Sequence, residues 1–146
     1  PDPMLESRAL GRLRSHVYAS IRYLESRPRQ KNPRDLLRLA FVAPRSFGAD
    51  PALARADGFP DQRWRRKIQY EVEFLETHRR FVINGLCAGV LPDLVMESER
   101  KRGEVVALPG PRIHREIHFF KRKGRALPKA ADSLLASIRT AIRSLA

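Results

Sequence analysis

The side chains best suited to chemistry in this sequence are its four histidines, its single cysteine and a group of glutamates. His114 and His118 have the spacing of a metal-binding pair only if their segment is a helix. That segment alternates as a strand does, and no pattern of cysteines or carboxylates nearby supplies further ligands. We therefore predict no metal site, and we expect all four histidines to be surface or partly buried side chains.

The remaining candidates for catalysis give no nucleophile and no acid/base pair. Cys87 lies in an apolar run, which predicts a small buried side chain rather than a reactive thiolate. Glu71, Glu73 and Glu76 fit a solvated strand edge and the first turn of a helix, where acids favour the helix dipole. The sequence contains no dinucleotide-binding glycine motif, no phosphate loop and no nucleophile elbow. We predict that the chain is not an enzyme and binds no cofactor.

Net charge suggests a second class of function. The 29 Lys and Arg residues outnumber the 16 Asp and Glu residues and give a net charge of +13. Clustered cations bind nucleic-acid phosphates by releasing counterions. Here most of the charge is spread along the chain, with clusters at residues 63–67 and 121–123, so a solvated surface remains the simpler interpretation. A small basic protein that binds nucleic acid directly through these two clusters stays open as the alternative function.

Length and composition predict a folded domain outside the secretory route. The 146 residues, 42% of them hydrophobic, are enough for one domain with a core. A single cysteine excludes a disulfide within the chain. No apolar run approaches the roughly 20 residues that cross a bilayer, and Pro1-Asp2-Pro3 is neither a signal nor a transit peptide. We predict a cytoplasmic location.

Residues 68–92 give the clearest structural pattern. Residues 68–72 alternate as a strand does, and the apolar residues from Leu75 to Leu86 recur at helical spacing. Gly85 then ends the helix, and Val90 and Leu91 form a buried strand before Pro92. This is a strand, helix, strand unit of α/β type.

The other predicted elements are placed by caps, prolines and periodicity. They are a strand over 5–19, short helices over 20–27 and 32–37, a strand over 41–43, a loop over 44–60, a strand over 63–72, a helix over 93–99, and strands over 104–108 and 113–121. We expect Leu94 and Val95 to face inward from the helix over 93–99. The strongest helix begins near Pro128. Its apolar stripe comprises Leu127, Ala131, Leu134, Leu135, Ile138, Ile142 and Leu145.

Four segments, taken in order, resemble the C-terminal regulatory domain of LysR-type transcriptional regulators. They are Leu10 to Ser20 followed by Tyr23-Leu24, which resembles the crossover strand and the next helix start; Asn32-Pro33-Arg34-Asp35-Leu36; Val82 with Gly85-Leu86 and Leu91-Pro92-Asp93; and Leu127-Pro128-Lys129-Ala130-Ala131. The chain departs from the family in two places. Glu73-Phe74 stands where the family often has Asn-Ser, and Cys87-Ala88 stands where it has Gly-Ile.

The resemblance implies an α/β fold of the two-lobed periplasmic-binding-protein type. Residues 13–109 would form most of the second lobe, and residues 1–12 and 113–146 would be crossover and first-lobe elements. The family's winged helix-turn-helix, its linker helix and the opening part of its first lobe are not expected in this chain. The C-terminal helix would then lack part of its usual sheet. We therefore predict a homo-oligomer that covers its apolar stripe, by exchange of elements between copies or otherwise.

The function implied by the resemblance is effector sensing, with DNA bound only through a domain that this chain lacks. The effector would be a small molecule, most simply an organic anion, held by helix starts and Arg45, with Phe47 against a ring. The effector-binding residues implied in this way are Ala19, Ser20, Ile21, Pro44, Arg45, Ser46, Phe47, Glu73 and Phe74. A fragment that mainly mediates assembly is a third possibility.

Overall fold

The computed structural model describes residues 3–46 and 55–144. Phe47 and the middle of the predicted loop over 44–60 lie outside these residues. The elements in chain order are β1 (Leu5–Ser20), α1 (Ile21–Glu25), a 3-10 helix (Pro33–Arg38), β2 (Ala40–Pro44), β3 (Lys67–Val72), α2 (Leu75–Ile83), β4 (Ala88–Pro92), α3 (Asp93–Lys101), β5 (Val105–Arg122) and α4 (Lys129–Ser144).

The five strands form one mixed sheet in the order β3-β2-β4-β1-β5. Strand β2 lies parallel to both β3 and β4, whereas β1 lies antiparallel to β4. The chain divides into two compact units, which we call the larger unit (residues 15–113) and the smaller unit (residues 1–14 and 114–146). Strands β1 and β5 each contribute residues to both units.

The predicted strand, helix, strand unit is confirmed as β3, α2 and β4. Helix α2 ends at Ile83, and Gly85 follows with a φ of 74°, a conformation that only glycine adopts without strain. The N-terminal strand, the short helix capped by Ser20, the helical turn after Asn32 and the C-terminal helix are confirmed as well.

The core of the larger unit lies on both faces of its sheet. One cluster contains Val17, Leu36, Phe41 and Phe59, and the other contains Tyr18, Val82, Leu91 and Met96; all eight side chains are at most 2% exposed. Because β2 and β4 are buried on both faces, their sequences read as continuous apolar runs.

Three predictions about element boundaries and faces were wrong. Strand β3 begins at Lys67 rather than at residue 63, because the side chain of Arg66 turns into a buried ion cluster. The strands expected over 104–108 and 113–121 form one strand, β5, since an edge strand tolerates prolines that an inner strand does not. Leu94 is 49% exposed and does not face inward, whereas Val95 packs against the core as predicted and Met96 is the fully buried apolar residue of α3.

In the smaller unit, α4 packs against β1 at one close contact. A Cβ built on Gly11 would lie 2.4 Å from Cγ2 of Ile142, so only glycine allows the helix to approach this closely. Ile142 is 8% exposed, but Leu134 on the same predicted stripe is 60% exposed. Leu127, Ala131, Leu135 and Ile138 are partly buried, so among the described residues of the stripe the exposed surface is that of Leu134. None of the helices in residues 3–46 and 55–144 is long and apolar enough to span a membrane.

Candidate functional site

The strongest candidate site lies at the carboxyl edge of the parallel strands in the larger unit. Strands β2, β3 and β4 end at Pro44, Val72 and Pro92 on the same edge, because β2 is parallel to both neighbours. The backbone N–H of Arg45 donates to the carbonyl of Val72 over 2.8 Å and ties two of these ends together. In open α/β sheets, ligands bind in the crevice outside the carboxyl ends of the strands.

An ion pair between two predicted site residues lies at this edge. Arg45 follows β2, Glu73 follows β3, and Nη1 of Arg45 lies 3.0 Å from Oε1 of Glu73. The two side chains are 61% and 49% exposed, so both remain accessible to a solute. Pro44 and Ser46 flank Arg45, and Phe74, which is 71% exposed, follows Glu73. The structure therefore brings five predicted site residues together.

Two helices begin at the same edge without a side-chain cap. Phe74 occupies the N-cap position of α2, Pro92 occupies that of α3, and neither side chain bonds to the first turn of its helix. Such helix starts present backbone N–H groups and the positive end of the helix dipole. Together with Arg45 they favour a ligand with negative charge at this edge.

The sequence analysis missed a polar group contributed by β1. Nδ1 of His16 lies 2.7 Å from Oδ1 of Asp93, and the hydroxyl of Tyr18 donates to the same oxygen over 2.9 Å. Ser15 pairs with Pro92 in the sheet, which places this part of β1 beside the start of α3. Asp93 begins a helix, as the sequence indicated. Only the antiparallel pairing of β1 with β4 brings His16 next to it.

Three predicted site residues lie at the opposite edge of the sheet. Ala19 and Ser20 are at the end of β1, and because β1 is antiparallel to β4 this end lies beside the amino ends of β2 and β4. Oγ of Ser20 accepts from the N–H of Tyr23 over 3.1 Å, and the Tyr23 hydroxyl in turn accepts from the N–H of Ala40 over 2.9 Å. The structure thus gives Ser20 the role of a helix cap and does not bring Ala19, Ser20 and Ile21 to Arg45.

Cys87 is a buried thiol, and His118, one of the two histidines with metal-like spacing, forms hydrogen bonds within the smaller unit. Cys87 is fully buried, and burial raises the pKa of its thiol to about 11, which keeps it protonated. His118 bonds to Ser7 and Glu116 in the smaller unit. Among residues 3–46 and 55–144, no group of three or more His, Cys, Asp or Glu side chains is placed to hold a metal ion.

A mixed sheet with helices on both faces and polar side chains at the carboxyl ends of its parallel strands fits an α/β domain of the periplasmic-binding-protein type. The family model of the LysR substrate binding domain matches residues 1–143. The chain therefore belongs to the LysR substrate-binding domain family, and the resemblance stated from the sequence is confirmed. No curated protein sequence matches the chain.

Solved regulatory domains share its fold. The regulatory domain of CrgA from Neisseria meningitidis is 17% identical with a TM-score of 0.71, and the match covers 99% of this chain and 71% of that one. The effector domain of AmpR from Pseudomonas aeruginosa is 13% identical with a TM-score of 0.69, and the match covers 99% of this chain and 69% of that one. DarR of Vibrio fischeri, solved in complex with DNA, is 11% identical with a TM-score of 0.65, and the match covers 96% of this chain and 46% of that one. The chain thus matches effector-binding regulatory domains of LysR-type transcriptional regulators.

Proposed function

We propose that this domain senses a small organic anion at the carboxyl edge of the larger unit, with Arg45 as the principal contact. The observation that carries the proposal is the convergence of Arg45, Glu73 and two uncapped helix starts at the ends of three parallel strands. Pro44, Ser46 and Phe74 would complete the contact surface, and His16 would add a polar group. We propose further that the larger unit is the family's second lobe.

Glu73 sets the electrostatics of this site because it already neutralises Arg45. An ion pair this exposed contributes about 1 kcal/mol at most, so a carboxylate ligand that also meets the helix starts can displace Glu73. Glu73 would then act as an internal competitor that weakens the binding of every anion. The proposed effector is a carboxylate with an apolar body, because Phe74 and Leu75 are exposed beside the ion pair.

The competition predicts opposite effects for two substitutions. E73Q should tighten the binding of benzoate or succinate by up to about fivefold, the equivalent of the ion pair's 1 kcal/mol. R45Q should weaken it by tenfold or more, because the site loses its principal cation. The dissociation constants of both variants are measured from saturable thermal stabilisation of the 146-residue chain, since a ligand that binds only the folded state raises the melting temperature.

The matched control is a second exposed ion pair of the same unit. Nζ of Lys101 and Oε1 of Glu97 are 2.6 Å apart near the far end of α3. E97Q and K101Q make the same charge changes away from the helix starts and should leave carboxylate binding unchanged. Equal binding by R45Q and the unaltered chain would place the effector elsewhere.

We also propose that the chain assembles into a homo-oligomer through the open part of α4. Leu134 is 60% exposed, whereas the other described residues of the apolar stripe of α4 are at least partly buried. A second copy that covers Leu134 would remove this apolar surface from water. In sedimentation velocity we expect a dimer or larger species that L134E converts to monomer, while L94E, which alters an exposed leucine of the larger unit, does not. A monodisperse monomer of the unaltered chain would contradict this proposal.

The domain is proposed to act without catalysis, as one part of a cytoplasmic transcriptional regulator. Effector binding at the carboxyl edge would shift the equilibrium between assembly states, and a separate domain would hold specific DNA. Such coupling between two sites is what defines an allosteric regulator.

A further inference from the structure

The exposed end of β5 and the turn after it gather three cations in four residues. These are Arg122, which ends β5, and Lys123, Gly124 and Arg125, and we call the four residues the basic turn. The N–H of Lys123 donates to the carbonyl of Met4 over 3.0 Å, and Gly124 has a φ of 72°. The hydrogen bond to Met4 anchors the turn to the residue before β1, and the positive φ of Gly124 lets the chain reverse direction without strain.

The cations of the basic turn have no counter-charge among the residues that the structure describes. Lys121, just before the turn, pairs with Glu6 and donates to the carbonyl of Arg125 over 3.0 Å. In contrast, none of the side chains of Arg122, Lys123 and Arg125 forms an ion pair with any residue in 3–46 or 55–144. All three are exposed. Their charges are therefore directed at solvent rather than used to hold the fold.

An aromatic ring and a groove adjoin these cations. Phe120 is 58% exposed and stacks on His118 with ring centroids 6.1 Å apart. A groove of about 520 Å³ runs beside the turn. It is lined by Phe119, Phe120, Arg122, Arg125, Leu127 and Pro128. The surface thus combines free guanidinium groups with an accessible aromatic face.

The charge of the whole chain is concentrated in the same unit. The smaller unit holds 11 of the 29 Lys and Arg residues and 4 of the 16 Asp and Glu residues, which gives a net charge of +7 for 47 residues. The larger unit carries the remaining +6 on 99 residues. The density of positive charge is thus more than twice as high in the unit that presents the basic turn.

We propose that the basic turn binds the phosphate backbone of a nucleic acid, as a second contact independent of effector sensing. Planar guanidinium groups match phosphate oxygens in a bidentate geometry that an ammonium group cannot offer. Phe120 offers a face for an unpaired base. A contact of this kind is sequence-independent, and it would add to the affinity of a regulator already held on DNA elsewhere, through effective concentration.

The test compares two triple variants that remove the same charge. R122Q/K123Q/R125Q removes the basic turn, and R63Q/R65Q/K67Q removes three exposed cations of the larger unit. Binding of the 146-residue chain to a labelled 20-base-pair duplex and to a labelled single strand of random sequence is measured by fluorescence anisotropy from 50 to 200 mM salt. Circular dichroism checks that both variants remain folded.

We expect the basic-turn variant to lose at least tenfold in affinity and the control variant less than threefold. The slope of log K against log salt is negative, and its magnitude should decrease by roughly 2 to 3 in the basic-turn variant. Each lost phosphate contact lowers this magnitude by about 0.7 to 0.9. F120A distinguishes the two sources of phosphate. A loss of fivefold or more confined to the single strand identifies unpaired nucleic acid, and no loss on either probe identifies the duplex backbone.

Three results would overturn the proposal. Equal losses in the two triple variants would show that net charge alone attracts the probe. Unchanged binding by the basic-turn variant would exclude the turn from the contact. Binding to vesicles with 30% anionic lipid, without binding to either oligonucleotide at 50 mM salt, would assign the surface to a membrane. Since carboxylate binding at Arg45 is measured separately, failure here leaves the effector site untouched.

Discussion

Replacing Arg66 with methionine should lower the free energy of unfolding by about 3 to 5 kcal/mol, the usual cost of removing one partner from a buried ion cluster. The guanidinium group of Arg66 is fully buried between two carboxylates. Its Nη1 lies 2.7 Å from Oδ2 of Asp57, and its Nε lies 2.8 Å from Oδ1 of Asp61. The Asp57 side chain is only 3% exposed, so R66M would leave its charge buried and uncompensated.

Two further variants, R65M and R66K, serve as comparisons for R66M. Arg65 is exposed, and R65M should change stability by no more than about 0.5 kcal/mol. The Arg66 guanidinium also lies 4.3 Å from the ring centroid of Phe59, so R66K would keep the charge and lose both the bidentate geometry and the stacking. We expect R66K to fall between R66M and the unaltered chain in urea unfolding. A loss below 1 kcal/mol for R66M would show that Asp57 finds water or another partner.

The Arg66 cluster also shows what the sequence could not predict. Asp57 falls in the loop predicted over 44–60, Arg66 falls in the strand predicted over 63–72, and Asp61 lies between the two. Burial of Arg66 depends on Phe41 and Phe59, and Phe41 is 25 residues away in the chain. Because no local periodicity encodes such a contact, residues 63–66 were assigned to a strand.

The elements predicted correctly are those whose evidence is local. The alternation before Val72, the helical spacing after Leu75 and the glycine at 85 are all properties of short segments, and they sufficed for β3, α2 and β4. The face of α3 was assigned correctly at Val95 but wrongly at Leu94, because a helix of nine residues offers few apolar positions to set its phase. Leu94 and Met96 differ by two positions, which is more than half a helical turn.

Only those parts of the candidate site that depend on local sequence patterns were predicted correctly. Arg45 and Glu73 follow two strands that were recognised locally, and the parallel pairing of those strands brings them together. Ser20 was recognised as a helix cap, but the edge at which that helix lies depends on the antiparallel pairing of β1 with β4. The same non-local pairing brings His16 to Asp93. Strand direction within a mixed sheet is therefore the information that the sequence lacked.

Acid should destabilise this fold through His78, with a loss of about 2 kcal/mol between pH 7 and pH 5. His78 is 2% exposed, so the expectation of a surface or partly buried histidine was wrong here, and its pKa is lowered from 6.5 to about 4. Burial is the largest cause; the charge of Arg66 also lowers the pKa, and that of Asp57 opposes the shift. In the unfolded chain His78 is protonated below about pH 6.5, whereas in the folded chain it is protonated only below about pH 4. Stability therefore falls as the pH falls through this window, by about 1.4 kcal/mol for each unit.

The comparison with H78L isolates this contribution. Leucine has no proton to bind, so the unfolding free energy of the unaltered chain should fall by about 2 kcal/mol relative to that of H78L from pH 7 to pH 5 in urea titrations. H114Q serves as the control, because His114 is exposed and its removal should leave the pH profile unchanged. The glutamates whose pKa is lowered, Glu99 among them, titrate in the folded chain below their ordinary value of 4.5 and so outside this window. Parallel pH profiles for H78L and the unaltered chain would show that the pKa of His78 is the same in the folded and the unfolded chain.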